Sequence, residues 1–339
     1  MTLPSTGHAE FRAVGVFRAL QLGDLICAIP AIRALKRSHP ANRISLIGLP
    51  WAEELVTRFP AYLDDFIPFP GWPGIGEREP DRSRAHEYEF QAAHRRFVLA
   101  VQMHGDGRAS NGFVVATPAE AHAGFAPDEG SSVPGFLPYP RDRSEVERLL
   151  MLAEHLGATD LDARLEFPVS EAEHADATRA LHAAGLPSGA PYVVVHAGGR
   201  GPDRRWSAEG FAAVADTLAT AGHAIVLTGS EVDRSVNEKV RAQAEAPIVD
   251  LTGRTSIGTL AATVGGASLV VTNDSAPSHL AAALRVPSVV IFTGSDRARW
   301  APSDRGLHRA VGDGRPDGGV ATPPPTVREV LAAVPAMVA

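Results

Sequence analysis

The stretch Tyr192-Val193-Val194-Val195-His196, followed by Ala197-Gly198-Gly199-Arg200-Gly201-Pro202-Asp203-Arg204-Arg205-Trp206, decides the fold class. A short apolar run opening into a glycine-rich loop reads as a strand buried on both faces, as in a parallel sheet. The pattern then repeats. A helix is expected at Phe211–Ala221, closed by Gly222, then a strand at Ala224–Thr228 and a helix at Ser235–Ala244. A strand at Ile248–Asp250, a helix at Ile257–Val264, a strand at Ser268–Thr272, a helix at Ser278–Leu284 and a strand at Ser288–Phe292 follow. Strands alternating with helices predict a doubly wound α/β sheet.

Toward the N-terminus the scheme recurs less regularly. Ala13–Phe17 reads as a strand, and Leu25, Ile29, Ile32 and Leu35 have helical spacing, with Pro30 expected to bend that helix. Ile44–Leu49 and Phe97–Met103 read as strands, Ala52–Phe59 as a helix, and Phe113–Ala116 as a short strand. Ser144 and Glu147 form a capping-box pattern for a helix at Ser144–Leu156, with Gly157 at its far end. The expected domains are residues 1–168 and 191–325, joined by a linker at 169–190 around a short helix. Residues 326–339 form a last helix, Val327–Val338, able to pack back on the N-terminal domain.

Composition agrees with two domains. The chain has 339 residues, and about 150 per domain is usual. Its 45% hydrophobic and 21% charged residues are ordinary for a folded protein. A net charge of −7 argues against general nucleic-acid binding. A single cysteine, Cys27, excludes an intrachain disulfide and cysteine zinc sites, so a reducing cytoplasm is the simplest location. Met1–Phe11 is polar and Arg18 interrupts the apolar segment after it, so no leader is expected. No apolar run is long enough to suggest a transmembrane helix.

In doubly wound sheets, ligands sit beyond the carboxyl ends of the strands. After the first strand, Gly23 and Asp24 open a helix. Asp24 reads either as an N-cap or as a carboxylate acting as general base. The His196–Trp206 loop offers Gly198 and Gly199 for close backbone approach, and Arg200, Arg204 and Arg205 to neutralise phosphate. Asn273-Asp274-Ser275-Ala276-Pro277-Ser278-His279 opens another helix, whose free N–H groups suit an anion. His279 reads either as a donor to a ligand oxygen or as a tie to Asp274. Glu231 and Asp233 follow a strand, reading either as ribose ligands or as a helix cap. No Walker A loop, Gly-x-Gly-x-x-Gly fingerprint or Gly-x-Ser-x-Gly elbow fits these positions.

Taken in order, these segments resemble glycosyltransferase family 9, the ADP-heptose heptosyltransferases. The resemblance rests on Leu22-Gly23-Asp24 with Ile29–Leu35, the His196–Trp206 loop, and Asp250–Ser256. It rests also on Thr272–Ala283 and on Val286-Pro287 through Trp300-Ala301-Pro302. It covers nearly the whole chain, weakening at Gly71–Phe97 and Pro118–Asp142. It implies a GT-B fold, with two Rossmann-like domains facing across a cleft, and an inverting, metal-independent transfer with no cofactor.

By position it implies Asp24 as general base, with Arg204 in the place of a phosphate-binding lysine and Arg205 as a near substitute. Ser275 and Ala276 would hold the β-phosphate, Asp274 the heptose hydroxyls, Glu231 or Asp233 the ribose, and Thr255 the adenine. Gly198 and Gly199 stand where hydroxyl residues are common in the family, leaving backbone donors there. On the acceptor side it points to Gly23, Gln102, His104 and Arg108. The implied partners are a nucleotide-sugar donor and a glycan or small-molecule acceptor, with peripheral association at the inner membrane left open and no oligomeric state assigned. Five arginines in Glu77–Arg96 are matched by five acids, which suggests an acceptor less acidic than a phosphorylated lipopolysaccharide core. The competing readings are a non-catalytic nucleotide-sugar-binding module and a GT-B epimerase-like enzyme.

Overall fold

The computed structural model describes residues 12–127, 134–316, 319–320 and 322–335. It forms two compact units, Met1–Arg164 and Leu165–Ala339. The polar segment read at Met1–Phe11 lies outside the described residues, as does the end of the last expected helix.

The first unit carries strands β1 (Ala13–Phe17), β2 (Arg43–Gly48), β3 (Asp65–Pro68), β4 (Phe97–Gln102), β5 (Ala119–Ala126) and β6 (Phe136–Pro138). Its helices are α1 (Leu22–Ser38), α2 (Glu53–Arg58), α3 (Arg82–Arg95), α4 (Ser110–Ala116) and α5 (Glu145–His155). The sheet order is β3-β2-β1-β4-β5-β6, and every pairing is parallel. Helix α1 is buried along nearly its whole length and runs through Pro30. The missing proline N–H removes one helical bond, to the carbonyl of Ile26. Phe17, Phe69 and Phe113 cluster in the core with their rings tilted or edge-on to one another.

The expected short strand at Phe113–Ala116 is helix α4. A brief apolar run carries no periodicity of its own, and here Phe113 and Val114 turn into the core while Val115 is exposed.

The second unit carries α6 (Glu171–Ala183), β7 (Tyr192–His196), α7 (Ala208–Thr220), β8 (Ala224–Leu227), α8 (Arg234–Gln243), β9 (Ile248–Asp250) and α9 (Ile257–Gly265). Then come β10 (Leu269–Asn273), α10 (Ala276–Leu284), β11 (Ser288–Ile291), α11 (Arg297–Trp300), β12 (His308–Val311) and α12 (Val327–Ala332). Its parallel sheet runs β12-β11-β10-β7-β8-β9. Numbered from β7, this is the same strand order as the first unit. All residues of β7 and β10 are buried, as the valine runs require.

The segment read as a linker belongs here. Helix α6 is capped by Ser170 and packs on α9. The last helix, too, is part of this unit. Val330 of α12 joins the core with Phe211 and Val214 of α7, and the Trp206 indole N–H donates to the Pro325 carbonyl at 2.8 Å.

Candidate active site

Both sheets reverse their winding between the first and fourth strand of the unit. A doubly wound sheet opens a crevice at that point, where the helices after the two strands diverge to opposite faces. In the first unit the loops after β1 and β4 meet there, and in the second those after β7 and β10.

At the first crevice α1 begins three residues before the sequence suggested. Gln21 occupies the N-cap position and Asp24 the third helical position. The cap reading of Asp24 is therefore replaced by a fold-back one: its Oδ2 accepts the Gln21 backbone N–H at 3.2 Å. The carboxylate is half-buried in the first turn of the helix. Gly23 is buried beside it at the second helical position.

Beneath Asp24 lies Arg18, wholly buried. Its Nε donates to the Asp24 carbonyl at 2.8 Å, one Nη to the Met103 carbonyl, and the other to Glu145 Oε1 at 2.9 Å. Glu145 also faces Arg148 Nη1 at 3.6 Å. Its first-turn position in α5 adds a favourable dipole. This network escaped the sequence reading, because Arg18 and Glu145 are 127 residues apart.

His104 accepts the Ala19 N–H through Nδ1 at 3.3 Å and stacks on Phe17. Burial, helped by the nearby Arg18 guanidinium, pushes its pKa down to about 3. The ring is thus neutral with its proton on Nε2, which faces Glu77 Oε2 at 3.8 Å. Gln102 is fully buried and engaged within its own loop. Its amide donates to the His104 carbonyl at 3.0 Å and Ser110 Oγ at 2.6 Å, and its oxygen accepts the His104 N–H at 3.2 Å. Arg108 is exposed and only loosely paired with Asp106 at 3.5 Å.

At the second crevice, Asn273 is the fully buried last residue of β10. Its amide donates to the carbonyls of Ala197 and Gly198, both at 2.9 Å, and its oxygen accepts the Trp206 N–H at 2.9 Å. One side chain thereby pins the glycine-rich loop to the start of α10. Ser275 precedes α10 but does not cap it. Its hydroxyl lies 3.0 Å from Thr272 Oγ1, so the helix start keeps N–H groups for an anion. Ser275 and Ala276 are half-buried and so accessible.

Arg204 donates to Asp274 Oδ2 at 2.6 Å, and Asp274 Oδ1 lies 3.9 Å from His279 Nε2. Arg205 donates through Nε to the Gly199 carbonyl at 2.8 Å and faces Asp233 Oδ1 at 3.6 Å. Arg204 is thus held beside the open helix end, and Arg205 against the glycine-rich loop that Asn273 ties to it. Arg200 is exposed farther out on the loop.

A family model described as glycosyltransferase family 9 (heptosyltransferase) matches residues 134–311, over half of the 339-residue chain. The chain belongs to glycosyltransferase family 9. Lipopolysaccharide heptosyltransferase 3 of Escherichia coli K12 is 34% identical over 160 residues, which span 46% of each chain, about half of that relative's length. Lipopolysaccharide heptosyltransferase 2 of the same organism is 27% identical over 289 residues, 80% of each chain. The solved E. coli ADP-heptose lipopolysaccharide heptosyltransferase II matches with a TM-score of 0.70 at 23% identity, covering 97% of this chain and 98% of that one. The fold is accordingly the GT-B class of the family.

Several roles that family 9 implies meet competing bonds in the structure. Asp233 is buried, its Oδ2 accepts both the N–H and the hydroxyl of Ser230, and its Oδ1 faces Arg205. That occupies the carboxylate and leaves exposed Glu231 as the ribose candidate, bonded at present to Arg234. Gly198 is glycine because a Cβ would come within 2.6 Å of the Asp233 carboxylate. At Gly199 a Cβ would meet only ordinary contacts, at 3.5 Å or more from Arg204, Arg205 and Asn273, so packing does not force a glycine there. Thr255 is half-buried in the loop after β9. Among the described residues no cluster of three or more His, Cys, Asp or Glu is placed to hold a metal ion, and no helix is long and apolar enough to cross a membrane.

Proposed function

We propose that this family 9 chain is an inverting glycosyltransferase that moves heptose from ADP-heptose onto an acceptor hydroxyl. One observation carries the reading. The equivalent crevices of two like-ordered sheets hold complementary chemistry: a half-buried carboxylate in one, an uncapped helix end flanked by arginines in the other.

Asp24 takes the acceptor hydroxyl proton as the oxygen attacks the anomeric carbon. The bond from that carbon to the β-phosphate oxygen breaks, and ADP leaves with the electron pair. The developing negative charge falls on the α10 N–H groups, Arg204 and Arg205.

The donor follows that of the E. coli ADP-heptose heptosyltransferase II, and the similar E. coli enzymes are lipopolysaccharide heptosyltransferases. Three arginines of the 77–96 segment are tied to their own unit: Arg78 to the Phe69 carbonyl, Arg84 to Pro70 and Glu79, and Arg95 to Asp65. This favours an acceptor surface without a dense phosphate cluster.

Asp24→Asn should lower transfer by at least about 100-fold, the scale of general-base catalysis, with the dissociation constant for ADP unchanged by calorimetry. Turnover within threefold of wild type would remove Asp24 as the base.

A further inference from the structure

We infer that Arg18 is a positioning residue for Asp24, and that Glu145 is its fixed counter-ion. The inference rests on the reading of Asp24 as base. Arg18 is the last residue before the turn from β1 into α1, and its guanidinium makes one bond in each of three directions. One goes to the carbonyl of Asp24 itself, one to Met103 just beyond β4, and one to Glu145 at the start of α5. The side chain therefore spans the crevice floor and ties the residue bearing the proposed base to the loop on the acceptor side.

An apolar residue would cost less to bury there. Removing a guanidinium from water is expensive, and paired buried charges seldom stabilise a fold more than well-packed apolar side chains do. What the pair adds is geometry. A planar fork fixes directions as well as distances, and Arg18 has its carboxylate partner fixed in turn: Glu145 is buried and contacts Arg148. Arg148 is itself held by the Pro140 and Arg141 carbonyls and the Tyr139 hydroxyl. Nothing in this chain of contacts needs to touch substrate. Its effect is to hold the backbone of Asp24 against displacement, and a displacement of about 1 Å at a reacting group can lower rate about 100-fold.

The test is a set of three variants assayed with saturating ADP-heptose. Arg18→Lys keeps a charge but loses the fork. It is expected to lower kcat about 10- to 100-fold while KM for the donor and the dissociation constant for ADP stay within twofold. A second variant, Arg18→Met, removes the fork and leaves Glu145 paired with Arg148. It should fold with a Tm at or above that of Arg18→Lys and still show the low kcat. Recovery of kcat together with Tm would reduce Arg18 to a packing residue and overturn the inference. Asp24→Asn, run in parallel, separates the two readings. Loss of turnover there with a normal Arg18→Lys overturns the positioning role alone. Normal turnover in Asp24→Asn overturns the base assignment on which it rests.

Discussion

The two sheets share one strand order, yet the first crevice is built on buried charge and the second on open backbone. In the first, Arg18, Glu145 and Arg148 are sealed beneath a single half-buried carboxylate. In the second, two partly exposed arginines stand in a glycine-rich loop beside an uncapped helix. Topology thus chooses where a ligand can sit, and the residues after the strands choose its charge. A base must be held still and kept selective, which suits a rigid buried support. A diphosphate carries its own charge and needs donors that can reach it.

The sharpest way to break this contrast is to remove the cations from the second crevice. Arg204→Ala with Arg205→Ala should weaken ADP binding by about 100-fold or more, since each charge-assisted bond contributes about 1.5–3 kcal/mol. Isothermal titration of the folded double variant measures it. Arg204→Ala alone should also lower Tm, because buried Asp274 loses its partner; Arg205→Ala should lower it less, because Asp233 keeps both bonds from Ser230. An unchanged ADP affinity would dissolve the distinction between the crevices.

A smaller effect separates the two glycines. Gly198→Ala should lower stability by about 1–3 kcal/mol, as overpacking does, by forcing the Asp233 carboxylate away. Gly199→Ala should leave Tm nearly unchanged yet weaken donor binding. Denaturant melts and titration of both variants give the comparison.

A third effect concerns protons. His104 has its folded pKa depressed to about 3, below the ordinary value of 6.5. Between these limits the unfolded chain binds the extra proton, so stability is fully present above pH 6.5 and is lost as pH falls below it. His104→Gln should flatten that loss by up to about 1.4 kcal/mol per pH unit. Urea midpoints measured from pH 7 to pH 4 would show it, and an unaltered slope would place the titrating group elsewhere.

Much of the fold was legible because buried parallel strands announce themselves. Ala13–Phe17, Tyr192–His196 and Ile248–Asp250 are strands with the bounds their apolar runs suggest. The capping box of α5 forms as Ser144 and Glu147 imply. Edge strands β3 and β12 were silent, since Asp65–Pro68 and His308–Val311 mix polar and apolar residues. Of the site, residues directly after strands were found by position. Their supports were not. Arg18 lies in an apolar segment whose partners come from distant loops, and the bonds of Asn273 go to backbone groups some 70 residues away. No local pattern encodes such partners.

The two carboxamides carry a consequence of their own. Gln102 and Asn273 are each the last residue of the fourth strand of their unit and fully buried, and each both donates and accepts, Gln102 in the loop after its own strand and Asn273 in the loop after β7. An amide has no proton to gain or lose near neutral pH. These two ties are therefore blind to acidity and salt, whatever the charged groups around them do.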